Sequence, residues 1–481
     1  MVGRKQERNM LKSLLEEEEP QFVAVFGRRR IGKTYLVRES FNYKFTFEHT
    51  GISNSSITPG MRKQAQLDKF AESLNKYGLK TEHISSWEDA FKGLEKVIEL
   101  STEPKKVIFI DELSWMDTKN SGLISALESF WNGYATARKE KDIILIVCAS
   151  ATYWMIDNIV NSKGGLHNRL TGQIYLKPFT LSECEELLNS RNIIFNRHQI
   201  LQCYMIMGGV PYYWSMLNKG MSLPQNIDNL FFKENAPLAN EYDNLYAALF
   251  RKPDQYITIV EVLSNVGRGL TREEISAKTG IALSGNLSDK LKELENCGFI
   301  RKYIPYGYKE RNAIYQLIDN FTIFYYKFMC NKSYDEYFWE NRINSPEINS
   351  WSGISFEKVC LLHIAQIKKA LGISGVETSV NAWQCKGDLE NGIYGSQIDL
   401  LIARKDQVIN VCEMKFSEAE YKVDAKFDTA MRHKISDFVS LTKTKYAIYP
   451  TLITTYGVLP TSYAGNIQSI ITADDLFADV R

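Results

Sequence analysis

Eight consecutive residues, Gly27-Arg28-Arg29-Arg30-Ile31-Gly32-Lys33-Thr34, have the spacing G-x-x-x-x-G-K-T, which turns backbone amides inward around an anion. The glycines permit that turn, and the start of a following helix adds favourable partial charge. In such a loop the lysine, here Lys33, reaches the outer phosphates of a nucleoside triphosphate, and the Thr34 hydroxyl binds Mg2+. The loop needs a strand before it and a helix after it. The apolar run Phe22–Phe26 and the helical run Tyr35–Phe41 supply both, so Gly27 through Tyr35 are the candidate nucleotide-binding residues. A chance match in a basic turn would not carry that context.

A second group must hold the metal and act on water. Lys105-Lys106-Val107-Ile108-Phe109-Ile110-Asp111-Glu112 reads as a buried strand ending in two acids, at the carboxyl edge where ligands of parallel sheets bind. Asp111 is expected to hold Mg2+ through water, and Glu112 to orient or deprotonate the attacking water; the other role for Asp111 is a helix cap. A third apolar run, Ile143–Cys148, leads to Ser150. Ser150 either lies between Glu112 and the terminal phosphate or caps the next segment. Arg169 either supplies charge to that phosphate, in cis or from a neighbouring subunit of a homo-oligomer, or is a surface arginine paired with an acid.

The last third carries another constellation. Gln397–Ile402 and Val411–Phe416 read as two strands joined around Lys405-Asp406. Alternation puts Glu413 and Lys415 on one face. An odd connecting loop such as Arg404–Asp406 sets Gln397 opposite Glu413 and Asp399 opposite Val411, gathering all four polar groups; an even loop sends Asp399 to the other face. Two carboxylates can hold Mg2+, and the lysine can steer water against a phosphodiester. Glu357, on a helix with apolar Phe356, Val359, Cys360, His363, Ile364 and Ile367, can add a third acid. The alternative is a salt bridge from Lys415 to Asp399 or Glu413 on a fold without catalysis.

Between these sites, residues 255–330 read as a winged helix-turn-helix: helices over Tyr256–Val266, from the cap Thr271 to Gly280, and over Leu283–Cys297, then a hairpin Phe299–Arg311 with its tip at Pro305–Gly307. Ser284, Asn286, Ser288, Lys290 and Lys292 suit a DNA groove, and Arg301, Lys302, Lys309 and Arg311 suit its backbone. Glu293 and Glu295 dilute that charge, and a lid or protein-docking role is the other reading.

The chain has 481 residues, enough for about three domains at ~150 residues each. Hydrophobic residues at 44% and charged ones at 24% exclude a disordered chain. A net charge of +1 leaves no global basic field, so any nucleic-acid contact must be local. The longest strongly apolar run, Ile143–Ala149, is far short of the ~20 residues that cross a bilayer. The charge-interrupted start does not read as a signal peptide. Eight scattered cysteines without a C-x-x-C pair favour a reducing cytoplasm over a disulfide scaffold or zinc ribbon.

Gly3-Arg4 with Glu7 and Leu11, GRRRIGKT, VIFIDE, Ala149-Ser150-Ala151 and Gly208-Gly209-Val210-Pro211 together resemble the archaeal-type ATPases of the AAA+/STAND group over the first two-thirds of the chain. The family often has Gly-Ser where this chain has Ala149-Ser150. The resemblance implies that Gly3 and Arg4 lie near the adenine and that GGVP belongs to a lid helix. Glu357, Asp399 and Glu413-x-Lys415 resemble the PD-(D/E)xK nucleases, which implies Asp399 and Glu413 as metal ligands, Lys415 as the water-activating residue and Gln397 as support. The expected fold is α/β: a P-loop NTPase core with a parallel sheet over 1–175, a helical lid over 176–240, a winged helix-turn-helix over 241–335 and an α/β nuclease-like domain over 345–481. The expected function couples ATP and Mg2+ to DNA binding and phosphodiester cleavage; a nucleotide-driven regulatory switch with an inactive nuclease-like domain is the alternative.

Overall fold

A run of apolar residues with no alternation can only be a strand covered on both faces, and three such runs form the centre of the first unit. The computed structural model describes residues 1–53, 57–81, 83–250, 252–330 and 335–480. It divides into two compact units, Gly3–Pro178 and Phe179–Arg481. In the first, β1 (Gln21–Phe26), β2 (Phe47–Thr50), β3 (Lys106–Asp111), β4 (Ile143–Ala149) and β5 (Gly172–Tyr175) form a parallel sheet in the order β2-β3-β4-β1-β5. Every residue of β1, β3 and β4 is buried. Alternate side chains feed two cores: Phe22, Ala24, Ile108 and Leu145 on one face, Val23, Val25, Phe109 and Ile146 on the other. Because β3, β4 and β1 are neighbours, their carboxyl ends stand in a row. Glu112 follows the first, Ser150 the second and Gly27 the third.

The second unit opens with helices Leu181–Ser190 and Arg197–Met207, each begun by a capping box, at Thr180 and Asn196. Helices Pro253–Ser264, Arg272–Thr279 and Gly285–Asn296 follow, with β6 (Leu270–Thr271), β7 (Ile300–Tyr303) and β8 (Ile314–Leu317) in an antiparallel sheet ordered β6-β8-β7. The expected capping box at Thr271 with Glu274 is present, and Gly280 ends that helix at φ 71°. The expected hairpin ending at Arg311 is too short. The connection runs from Ile304 to Ala313 and the return strand lies beyond it, because the segment around Tyr306 leaves the hairpin to bond elsewhere: Tyr306 N–H donates to Ala382 O at 2.9 Å.

The last part has β9 (Thr378–Gln384), β10 (Gln397–Arg404), β11 (Val408–Lys415), helix Ala425–Thr442, β12 (Ala447–Thr454) and β13 (Ser469–Thr472), in the order β13-β12-β11-β10-β9. β9, β10 and β11 are antiparallel, and β11, β12 and β13 run parallel. The helix Pro346–Leu362 packs on β11. The single apolar helix expected through Ile367 is broken at His363, which caps both halves; its Nδ1 lies 2.8 Å from Val359 O and its Nε2 accepts from Leu181 N–H at 3.1 Å.

Candidate functional site

The phosphate loop is built by backbone strain that its glycines relieve. Gly27 has φ 142°, and a Cβ there would collide with the Leu176 carbonyl; Gly32 has φ 88°. Arg30 also lies at positive φ, 68°. Arg28 and Ile31 are buried, Arg29 and Arg30 are partly exposed, and Tyr35 is exposed. The Lys33 ammonium is buried and donates to Gly27 O and Arg28 O at 2.9 Å each and to Ser150 Oγ at 3.1 Å. Ser150 donates in turn to Glu112 Oε1 at 2.5 Å, and its N–H donates to Oε2 at 3.2 Å. Thr34 Oγ1 donates to Asp111 Oδ2 at 2.6 Å, while Asp111 Oδ1 accepts from Glu112 N–H at 2.9 Å. Burial pushes the Glu112 carboxyl up, against the pull of Lys33 and with a further push from Asp111.

Thr34 and Asp111 are hard oxygen donors in contact, which suits Mg2+, a cation that takes few protein ligands and keeps its other positions for water and phosphate. Gly3 and Arg4 begin the helix Lys5–Ser13, both at positive φ. Arg4 is buried; it donates to Lys177 O and lies 3.7 Å from Glu7. Arg169 is exposed on a turn, and its side chain makes no hydrogen bond or ion pair among the described residues. Among the described residues it is therefore not paired with an acid.

In the second unit, β10 and β11 pair with Leu400 opposite Cys412 and Leu401 opposite Val411. Continued one step beyond its last pair, that register would bring Asp399 opposite Glu413. The loop Lys405–Gln407 has an odd number of residues, so the expected face is kept, but the register lies two residues from the expected pairing of Gln397 with Glu413 and Asp399 with Val411. A bulge against β9 between Ile398 and Leu401 bends β10 at Asp399. Gln397 Nε2 donates to Asp399 Oδ1 at 2.6 Å. Lys415 Nζ lies 2.8 Å from Glu413 Oε1, and Lys434, from helix Ala425–Thr442, lies 2.6 Å from Oε2. Burial would raise the Glu413 carboxyl, but Lys434 and Lys415 override it and hold it below its usual value. Burial, then the charge of Asp399, lifts Glu357 to about 7. Among the described residues no three His, Cys, Asp or Glu side chains gather closely enough to form a metal cluster by themselves. Asp399 with Glu413 is still a hard-oxygen pair fit for Mg2+ or Mn2+ sharing its shell with water and phosphate.

Four basic residues differ from expectation or were missed. Lys290 is buried with its ammonium 4.4 Å over the Tyr256 ring, not exposed for a groove. Arg301 turns inward, with Nε donating to Gln316 Oε1 at 2.7 Å. Lys434 has no signal in the sequence, since nothing local links a helix position to an acid 21 residues earlier. Lys358 was legible only as the neighbour of Glu357; it is buried and donates to Gly267 O at 3.1 Å.

Residues 1–217 match a family described as an ATPase domain predominantly from Archaea. An uncharacterized protein of Methanocaldococcus jannaschii is 23% identical over 393 residues, covering 80% of this chain and 82% of its own. Among solved structures, the Walker-type ATPase of Pyrococcus abyssi is similar at 16% identity and a TM-score of 0.44, over 68% of this chain and 96% of its own. The ORC2 protein of Aeropyrum pernix, in ADPNP-ADP complexes, is similar at 13% identity and a TM-score of 0.40, over 67% and 92%. Residues 1–217 thus carry an ATPase domain, whose parallel sheet holds the phosphate-loop spacing at the end of β1. Among the described residues no helix is long and apolar enough to cross a membrane.

Proposed function

We propose that ATP binding and hydrolysis in the N-terminal part govern DNA binding and metal-dependent phosphodiester cleavage by the C-terminal part. In the first unit Lys33 exchanges its bonds to Gly27 O and Arg28 O for phosphate oxygens, and Thr34 and Asp111 hold Mg2+. Mg2+ held there would supply charge neutralisation for the phosphates. Glu112, raised by burial, takes the proton of the attacking water, and Ser150 holds it in position. Gly3 and Arg4 flank the base.

Residues 241–335 are, on this reading, a winged helix whose third helix offers exposed Ser284, Asn286 and Lys292, with exposed Lys309 and Arg311 on the hairpin connection. Residues 345–481 are a nuclease-like domain. Asp399 and Glu413 would hold Mg2+ or Mn2+, which would supply Lewis-acid activation of the phosphodiester. Glu357 adds a third acid, and Lys415 orients the water. The observation that carries this reading is the β10–β11 register, in which Leu400 pairs with Cys412 and so brings the neighbouring Asp399 and Glu413 to the same end of the pair, with Lys415 2.8 Å from Glu413.

One observation favours the alternative, a nucleotide-driven switch with an inactive nuclease-like domain: both Glu413 oxygens are already engaged by Lys415 and Lys434. Plasmid nicking with Mg2+ or Mn2+ separates the two. Metal-dependent nicking by the parent that Asp399→Ala abolishes supports cleavage; equal, metal-independent nicking by both leaves the switch.

A further inference from the structure

The carboxylate site has a neighbour from outside its own domain. The segment after β7 lies along β9, the edge strand of the C-terminal sheet. Tyr306 N–H donates to Ala382 O at 2.9 Å, Asn381 Nδ2 donates to Ile304 O at 3.0 Å, and the Tyr306 ring packs 5.2 Å from Phe438. This hairpin is therefore docked on the sheet and is not a free wing.

The same hairpin carries Arg301, which a chain of hydrogen bonds links to the residue beside Glu357. Arg301 Nε donates to Gln316 Oε1, and Gln316 Nε2 donates to Gly267 O at 2.5 Å. That carbonyl also accepts from Lys358 Nζ, the residue beside Glu357. Gln316 and Lys358 are buried, so the chain of bonds is fixed. The Arg301 guanidinium lies 4.7 Å over the Tyr303 ring and feels the charge of Asp399. Its two terminal nitrogens make no hydrogen bond or ion pair among the described residues.

A structural salt bridge would use the planar fork of Arg301 on the Asp399 carboxylate. Instead Asp399 Oδ1 takes its hydrogen bond from Gln397. Arg301 is only partly buried, and its two idle terminal donors keep the planar fork available to an anion. Arg301, Lys358, Lys415 and Lys434 also outnumber Glu357, Asp399 and Glu413 by one charge, which suits an anion.

We propose that Arg301, carried on β7, is a phosphate-binding residue of the Asp399–Glu413 site, taking a non-bridging oxygen of the DNA phosphodiester held there. The proposal rests on the nuclease reading for its substrate.

The test compares the full-length parent with Arg301→Gln and Arg301→Lys in two assays. One is binding of a short DNA duplex in Ca2+ across a salt series; the other is the nicking rate with Mn2+ at saturating DNA. Arg301→Gln is expected to flatten the log–log salt slope by about one unit and to cut the saturating rate by ~10-fold or more. Arg301→Lys is expected to restore the slope but only part of the rate, because it lacks the fork. A flattened slope with an unchanged rate would overturn the proposal and place Arg301 on DNA away from the acids. No change in either would overturn it outright. A parent that never nicks removes the cleavage reading alone, and the salt slope then decides the phosphate contact by itself.

Discussion

Ser150 and Glu112 are joined twice: the serine hydroxyl donates to Oε1 at 2.5 Å and the serine N–H to Oε2 at 3.2 Å. The strand order β3-β4-β1 makes this possible, because β4 lies between the strands that carry the acid and the loop. The same hydroxyl accepts from Lys33, so the acid, the serine and the ammonium form one chain. Ser150→Ala should leave Glu112 free to swing and slow ATP hydrolysis by ~10-fold, about 1.4 kcal/mol of barrier, with nucleotide affinity nearly unchanged. Glu112→Gln should remove the base itself and cost ~100-fold or more. Phosphate-release kinetics read both.

Gly27→Ala tests the loop's backbone. At φ 142°, facing the Leu176 carbonyl, a methyl group must move either β1 or the segment after β5. The variant should lose ATP binding by ~10-fold or more, and its melting temperature should fall by an amount set by strain of ~1–3 kcal/mol. Unchanged affinity would mean the loop has another way to close.

Glu357 gives the pH dependence. Burial, then Asp399, raises its carboxyl to about 7 from an ordinary 4.5. The folded chain therefore keeps a proton that the unfolded chain has already released. Its contribution to stability is complete below pH 4.5 and is lost as the pH climbs through about 7, at up to ~1.4 kcal/mol per unit. Glu357→Gln should accordingly gain melting temperature over the parent at about pH 8 relative to about pH 5. A difference that does not change with pH would contradict the burial argument.

The hairpin docking also has a stability signature. Tyr306→Ala removes a ring from the cluster of Trp383, Leu401 and Phe438 and should destabilise the second unit by about 1–2 kcal/mol. Urea unfolding followed by tryptophan fluorescence measures it.

Much of the first unit was readable because its chemistry is local in sequence. Phe22–Phe26, Gly27–Thr34 and Asp111-Glu112 are contiguous, and strands buried on both faces announce themselves by unbroken apolar runs. The second constellation was readable in its residue types and in the face they share, since parity survives any odd loop. It was not readable in register: the turn at Lys405–Gln407 shifts the pairing by two residues, and no residue type between Ile402 and Val408 forces one odd turn over the other. Arg301, Lys358 and Lys434 could be placed only by tertiary structure. Arg301 in particular sits on a strand whose expected role was outward, yet its Nε donates to Gln316 Oε1 on the neighbouring strand. The fate of Lys290 follows from Tyr256 on another helix, which helical spacing alone does not reveal.

The central claim is that residues 27–34 hold a nucleoside triphosphate whose energy drives the remainder of the chain. Isothermal calorimetry of the full-length protein with ATP and Mg2+ tests it most directly. Saturable uptake of about one nucleotide per chain, lost in Lys33→Ala, is the predicted result. No heat of binding from ATP or GTP in the presence of magnesium would contradict it.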